Sequence, residues 1–245
     1  MTARTKTLRT ARWQPRRALG AAVFAALLLT CAGGARAADV GPSHGGFEVA
    51  FRSGVLGPLG DVKATYVDPD GEVYSEHLSG YFAVQFPLWL DLGYRFDRVF
   101  VGAYGQYAFG LPGSYCRDCS SHGVRVGFEI QWHPFDRLGD QLQVDPWFGV
   151  GFGYEWANSS SSTYPHSITF QGWDFLRLGL GLDFAITNTL ALGPFVEWSL
   201  GQFSQEEFTY SGCAYCVNSG QGSVSIDRKA LHFWLALGLK LTWRP

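Results

Sequence analysis

Hydrophobic and polar residues alternate with a period of two along most of the chain. The clearest stretch sets Val124, Val126, Phe128, Ile130 and Trp132 against Arg125, Gly127, Glu129, Gln131 and His133. The last stretch sets Leu231, Phe233, Leu235, Leu237, Leu239, Leu241 and Trp243 against His232, Trp234, Ala236, Gly238, Lys240 and Thr242. Successive side chains of a strand point to opposite faces, so each stretch reads as a strand with one apolar face. Five others repeat the pattern, around Phe47–Arg52, Phe82–Arg95, Trp147–Trp156, Leu176–Phe184 and Leu192–Leu200. Phe82, Val84 and Phe86 are placed on the apolar face of the second of these. Val99 to Phe109 forms one more segment, mixed on both faces. The expectation is an all-β fold of eight antiparallel strands in up-and-down order, closed into a barrel. A ten-stranded variant would draw its extra strands from loop residues such as 63–79.

Alternation alone leaves open which face is inside. A lipocalin-like barrel would turn the apolar face into the lumen; a membrane barrel would turn it outward. The polar faces here mix glycine with charge, which suits a narrow lumen filled by side chains. The connections alternate in length. Those at Asp97-Arg98 and Thr187-Asn188 are tight and 134–143 is moderate, whereas 57–80, 110–122, 157–172 and 202–229 are long. Short turns on one side and long loops on the other belong to membrane barrels. Tyr94, Phe96, Trp132, Trp156 and Trp243 sit at strand ends, where an interfacial aromatic girdle belongs. No run of about 20 apolar residues offers a helical span.

The N-terminus changes the charge. Residues 1–37 carry seven Lys/Arg and no Asp/Glu, with an apolar run from Ala21 to Leu29 and small residues at Ala35 and Ala37. That is the layout of a cleavable signal peptide, leaving 38–245 as the barrel domain. Without it, the chain's 19 basic and 21 acidic residues become 12 and 21. An acidic exported protein repels phosphates, so nucleic acid is excluded as a partner.

The strand spacing, the loop asymmetry and the aromatic Trp243 near the C-terminus resemble the small outer-membrane barrels of the OmpA/OmpX type, over most of residues 45–243. The family's terminal aromatic is followed here by Arg244-Pro245. The resemblance implies a Gram-negative outer-membrane address, both chain ends in the periplasm, and long loops outside. It implies outer-membrane lipid, lipopolysaccharide and the barrel-assembly machinery as partners, and a monomer. It carries over no active site and no cofactor.

Two features carry candidate chemistry. Cys116-x-x-Cys119 and Cys213-x-x-Cys216 lie in the second and fourth long loops, which are expected on opposite sides of the barrel. They suit disulfides, chiefly within each pair, or alternatively metal binding; export favours disulfides. The second feature is lumenal charge. Glu48, Asp91, Glu129, Glu155, Asp183 and Glu197, with Asp145, share the lumen with Arg52, Arg95, Arg125, Arg177 and Lys240. Buried charges must pair to offset desolvation, which predicts a plug of salt bridges. The alternative is a polar path or proton-sensitive gate using His133 or His232. Asp68-Pro69-Asp70-Gly71-Glu72 lacks a full calcium-loop ligand series and reads as an acidic turn. Ser120, Ser121 and His122, or His166 and Ser167, are the candidates for a lipid-modifying acyl-transfer site. The preferred function is a non-enzymatic surface-interaction protein with a plugged lumen; a small porin-like channel is the alternative.

Overall fold

The structure is a computed structural model, and it describes residues 45–67, 73–116, 118–135, 144–161, 166–210 and 220–245. The expected signal peptide, the expected acidic turn at 68–72, and Cys213 and Cys216 lie outside the described residues. Among those described are ten strands and one short helix. They are β1 (Gly46–Val67), β2 (Val73–His77), α1 (Leu78–Tyr81), β3 (Phe82–Phe96), β4 (Val99–Pro112), β5 (Cys119–Trp132), β6 (Val144–Ser161), β7 (His166–Ala185), β8 (Leu190–Tyr210), β9 (Gly220–Ser225) and β10 (His232–Trp243).

Eight of these strands pair antiparallel in a ring, β1-β3-β4-β5-β6-β7-β8-β10, and β10 returns to β1. Closure leaves no unpaired edge through the ring, as a strand structure in lipid requires. The eight-strand expectation holds, and the ten-strand alternative is corrected. β2 hydrogen-bonds to the C-terminal part of β1 and β9 to the C-terminal part of β8, so both extra strands stand outside the ring. The mixed segment is β4, whose inward side carries Phe100, Tyr104, Gln106 and Ala108. Aromatics on both faces hid its alternation.

The exterior is apolar. Phe51, Leu90, Val101, Phe128, Val150, Leu180 and Leu239 are exposed on the outer wall, while Arg52, Asp91, Glu129 and Lys240 are buried within. Apolar atoms facing out from a charged interior fit a hydrocarbon solvent. Trp132 and Phe148 mark one rim of the band, and Tyr154, Trp156 and Trp173 cluster at the other. Phe148 to Trp156 covers about 27 Å of strand at about 3.4 Å per residue, or about 20 Å along the axis at the usual tilt. That is close to the roughly 25 Å apolar band of such barrels.

Four strands overshoot this band. β1, β6, β7 and β8 contain 22, 18, 20 and 21 residues, where about 9–11 would cross. This corrects the loop expectation. Much of 57–80, 110–122, 157–172 and 202–229 is paired strand that continues past the girdle. Phe82 is also corrected: a register break between Phe82 and Gln85 turns its ring inward, where it is fully buried.

Candidate functional site: the filled lumen and its rim

The lumen is packed in tiers. At the closed-turn end, Arg244 donates to Glu48 at 2.8 Å and reaches Asp183 at 3.3 Å and Asp145 at 3.5 Å. Arg95 holds Asp145 at 2.9 Å, and His133 Nδ1 meets the same carboxylate at 2.9 Å. Lys240 donates to Gln131 at 2.8 Å and lies 3.4 Å from Asp183, with its ammonium 4.4 Å from the centre of the Trp147 ring.

The middle tier centres on Arg52. Its guanidinium contacts Asp91 at 2.6 Å, Glu129 at 2.8 Å and Glu197 at 2.9 Å. Trp89 and Phe195 flank it, at 5.6 and 5.7 Å. Arg177 shares Glu197 at 2.5 Å and stacks on Tyr104, 3.6 Å from the ring centre. Glycine makes room for these rings. A Cβ on Gly127 would meet Tyr104 Cε1 and the Gly153 Cα, each at 2.7 Å.

Above this, Arg125 pairs with Glu155 at 3.1 Å and sits over the Trp234 ring. His232 Nε2 hydrogen-bonds the same glutamate, and its ring stacks on Phe203. Asp174 is buried here with neither oxygen hydrogen-bonded among the described residues. The last tier is apolar: Leu56, Val62, Leu78, Phe82, Phe170, Phe203 and Ile226 close the mouth. α1 enters this layer as a lid, held by Tyr115 N–H donating to Gly80 O at 2.8 Å and Gly113 N–H to Tyr81 O at 3.0 Å. The lid also carries Tyr81, whose hydroxyl donates to Glu76 at 3.0 Å. Burial, then the Glu76 charge, pushes that phenol well above its ordinary range. Lys63, beside it, bridges Glu206 at 2.7 Å and Glu76 at 3.3 Å. Burial pulls the ammonium down, but Glu206 and then Glu76 outweigh it and hold its pKa above the ordinary value.

All twelve charges expected in the lumen are buried, and ion pairs join them into networks. Sequence reasoning left five residues out of this lumenal assembly. Arg244, read only as a departure from a terminal aromatic, caps the lumen. Asp174 was hidden by the bulge between Asp174 and Leu176, which breaks the period-two count. Trp89, Trp147 and Trp234 fill the lumen from polar faces, although an indole in such a pattern normally suggests lipid contact.

At the rim, Cys116 and Cys119 form a disulfide. Cys119 pairs with Ser161, Ser161 with His166 and His166 with Tyr210, so the β6–β7 hairpin stands between the β4–β5 and β8–β10 connections on one side of the ring and the β1–β3 hairpin on the other, the opposite placement that the sequence led one to expect. The acyl-transfer candidates are dispersed. Ser121 donates to the Leu111 carbonyl at 3.0 Å, Ser120 lies by Ser160, and His122 stacks on Tyr107. His166 and Ser167, adjacent on β7, face opposite sides.

On the outer wall beyond the girdle, polar side chains line up across five strands. One row runs Ser120, Ser160, Ser167, Thr209, Gln221; the next runs His122, Asn158, Thr169, Glu207, Ser223. Asn158 Nδ2 donates to Ser167 at 2.8 Å and Thr169 at 2.7 Å, stiffening the array.

These features define the chain as a small transmembrane β-barrel of the outer-membrane type, with the antiparallel ring expected of the OmpA/OmpX-like fold. A major outer membrane protein from Thermus thermophilus has a similar structure, with TM-score 0.50 and 13% identity over 83% of this chain and 100% of that one. Neisserial surface protein A (TM-score 0.48, 12% identity, 83% of this chain and 100% of that one) and OprG from Pseudomonas aeruginosa (0.45, 13%, 84% and 100%) are further matches. No protein-family model matches the chain, and no curated protein matches it by sequence.

Proposed function

We propose that this barrel is a non-conducting, non-enzymatic mount in the outer membrane that presents a stiff polar ribbon to the sugars of lipopolysaccharide. Both chain ends face the periplasm, and the overshooting strands face outward. The observation that carries the reading is the tiered filling of the lumen. Arg52, Arg177, Trp89 and Phe195 occupy the waist, and an apolar lid lies over them. The porin-like alternative would need an open polar path through the same space. The ribbon supports the contact role: its two rows begin directly beyond Trp156 and Trp173, at the level where lipid gives way to headgroup sugars. Hydroxyl and amide groups at fixed strand spacing suit hydrogen bonding to polyols.

The test has two arms. In planar bilayers the purified protein gives no steady single-channel openings; steady openings overturn the plug. In vesicles with a lipopolysaccharide outer leaflet, thermal unfolding is raised relative to phospholipid vesicles. Asn158→Leu with Thr169→Leu reduces that gain. An equal gain in the variant refutes the ribbon's role.

A further inference from the structure

The register carries Cys119, at the start of β5, sideways onto Ser161 of β6 and then His166 of β7. Residues in one such row share a face, here the inner face of the overshooting wall. Cys116 joins Cys119 through the disulfide. The two sulfurs and a ring nitrogen of His166 lie within 4.8 Å of one another. Cys116 and His166 are half-buried, so the group is reachable from the rim. We infer that this bridge is one of two states of the rim: when it is opened, Cys116, Cys119 and His166 bind a zinc ion.

Two thiolates and a neutral imidazole form a donor set for a borderline cation, and three protein ligands leave a fourth tetrahedral position for water. With Zn–S near 2.3 Å and Zn–N near 2.0 Å, ligand atoms stand about 3.5–3.8 Å apart. His166 then has to close by about an ångström, and the sulfurs to part by under about 2 Å. The Cys-x-x-Cys spacing keeps both thiolates on one short turn while they do so.

Opening requires two electrons, which two equivalents of a small thiol supply. The S–S bond breaks, each cysteine takes one proton, and the donor leaves as its own disulfide. Zinc then displaces the two thiol protons as it binds. The two states exclude each other, because sulfurs bonded to one another are not thiolate ligands and zinc-bound thiolates are poor partners for oxidation. The rim thereby takes a state set by the thiol and zinc content of the medium. Tyr210, paired with His166, stands three residues before Cys213, so the test removes the second cysteine pair.

In the Cys213→Ser, Cys216→Ser protein, folded in detergent and reduced with a phosphine, zinc is titrated against a chromogenic chelator. One equivalent binds to the reduced protein and none to the oxidised form. His166→Ala weakens binding by about tenfold or more. Zinc slows re-formation of the bridge by glutathione disulfide in the parent, and much less in His166→Ala. Heat-modifiable gel migration verifies that each variant is folded. Uptake no greater than in a protein that also carries Cys116→Ser and Cys119→Ser overturns the inference. So does a smaller affinity loss in His166→Ala, which leaves a bare dithiol in place of the three-ligand site.

Discussion

Replacing Arg52 with methionine tests the middle tier directly, because the variant keeps an unbranched apolar stem and loses the charged guanidinium. Three carboxylates then lose a partner at 2.6, 2.8 and 2.9 Å. Breaking a buried ion pair from one side costs about 3–5 kcal/mol, chiefly because the remaining charge is stranded. The three acids are not stranded equally. Glu197 keeps Arg177, which donates from Nη2 at 2.5 Å and Nε at 3.1 Å. Glu129 keeps the Gln131 amide at 2.7 Å. Asp91 keeps no ion-pair partner among the described residues. Most of the loss is therefore assigned to Asp91, with a smaller part from the cation–π contacts to Trp89 and Phe195, about 0.5–2 kcal/mol each. Asp91→Asn in the Arg52→Met background is expected to restore about 2 kcal/mol or more, since a neutral amide is far cheaper to bury than a charge. Glu197→Gln in that background restores nothing, because it also strands Arg177. Urea unfolding in lipid vesicles, followed by tryptophan fluorescence and heat-modifiable migration, gives the four stabilities, and with Asp91→Asn and Glu197→Gln alone it gives the coupling energies. If Arg52→Met falls within about 1 kcal/mol of the parent, or the two acids rescue equally, the tiered account of the lumen is refuted.

Glycine packing makes a paired prediction. Gly127→Ala costs about 1–3 kcal/mol or blocks assembly, since its Cβ meets the Gly153 backbone and the Tyr104 ring, whereas Gly105→Ala is near neutral because nothing lies within 4 Å. Folding yield and unfolding midpoint separate the two, and equal effects would undo the close-approach argument. The mouth is expected to loosen in alkali. Lys63, with its folded pKa above 10.5, contributes stability that is complete below that value and lost as pH rises through the folded pKa. Tyr81, raised above 10.0, resists ionisation when folded, so rising pH beyond that value favours the open mouth in the same direction. Protease cleavage of the β1–β2 hairpin should therefore appear near about pH 11 and be absent near about pH 8. Lys63→Met and Tyr81→Phe together should flatten the profile; an unchanged profile would assign the loosening elsewhere. Finally, Arg244→Ala strips a cation from Glu48, Asp145 and Asp183 and should lower the unfolding midpoint in urea. An unaltered midpoint would mean that the partly exposed guanidinium is screened by solvent rather than bound into the network.

The alternation was legible wherever the two faces of a strand meet different solvents. Val124 to Trp132 faces lipid on one side and a charged lumen on the other, so the period is clean and the inward charges could be named in advance. Beyond the girdle the contrast fades: Asn158 to Ser161 are polar on both faces, and Ser167 and Thr169 flank a single Ile168, so both stretches read as loop. They are nevertheless paired residue for residue, because backbone hydrogen bonding does not depend on side-chain contrast. Where both faces are apolar the contrast also fails, as in β4 and at Phe82, whose inward turn depends on a register break that leaves no mark in composition. The same blindness affected the rim chemistry. Cys119 and His166 are 47 positions apart, and only the pairing of β5, β6 and β7 sets them in one row. Once the strands are known to overshoot, that row follows from the register alone. Determining how far the pairing extends past the girdle is therefore the step that turns a polar stretch of sequence into a surface with defined geometry.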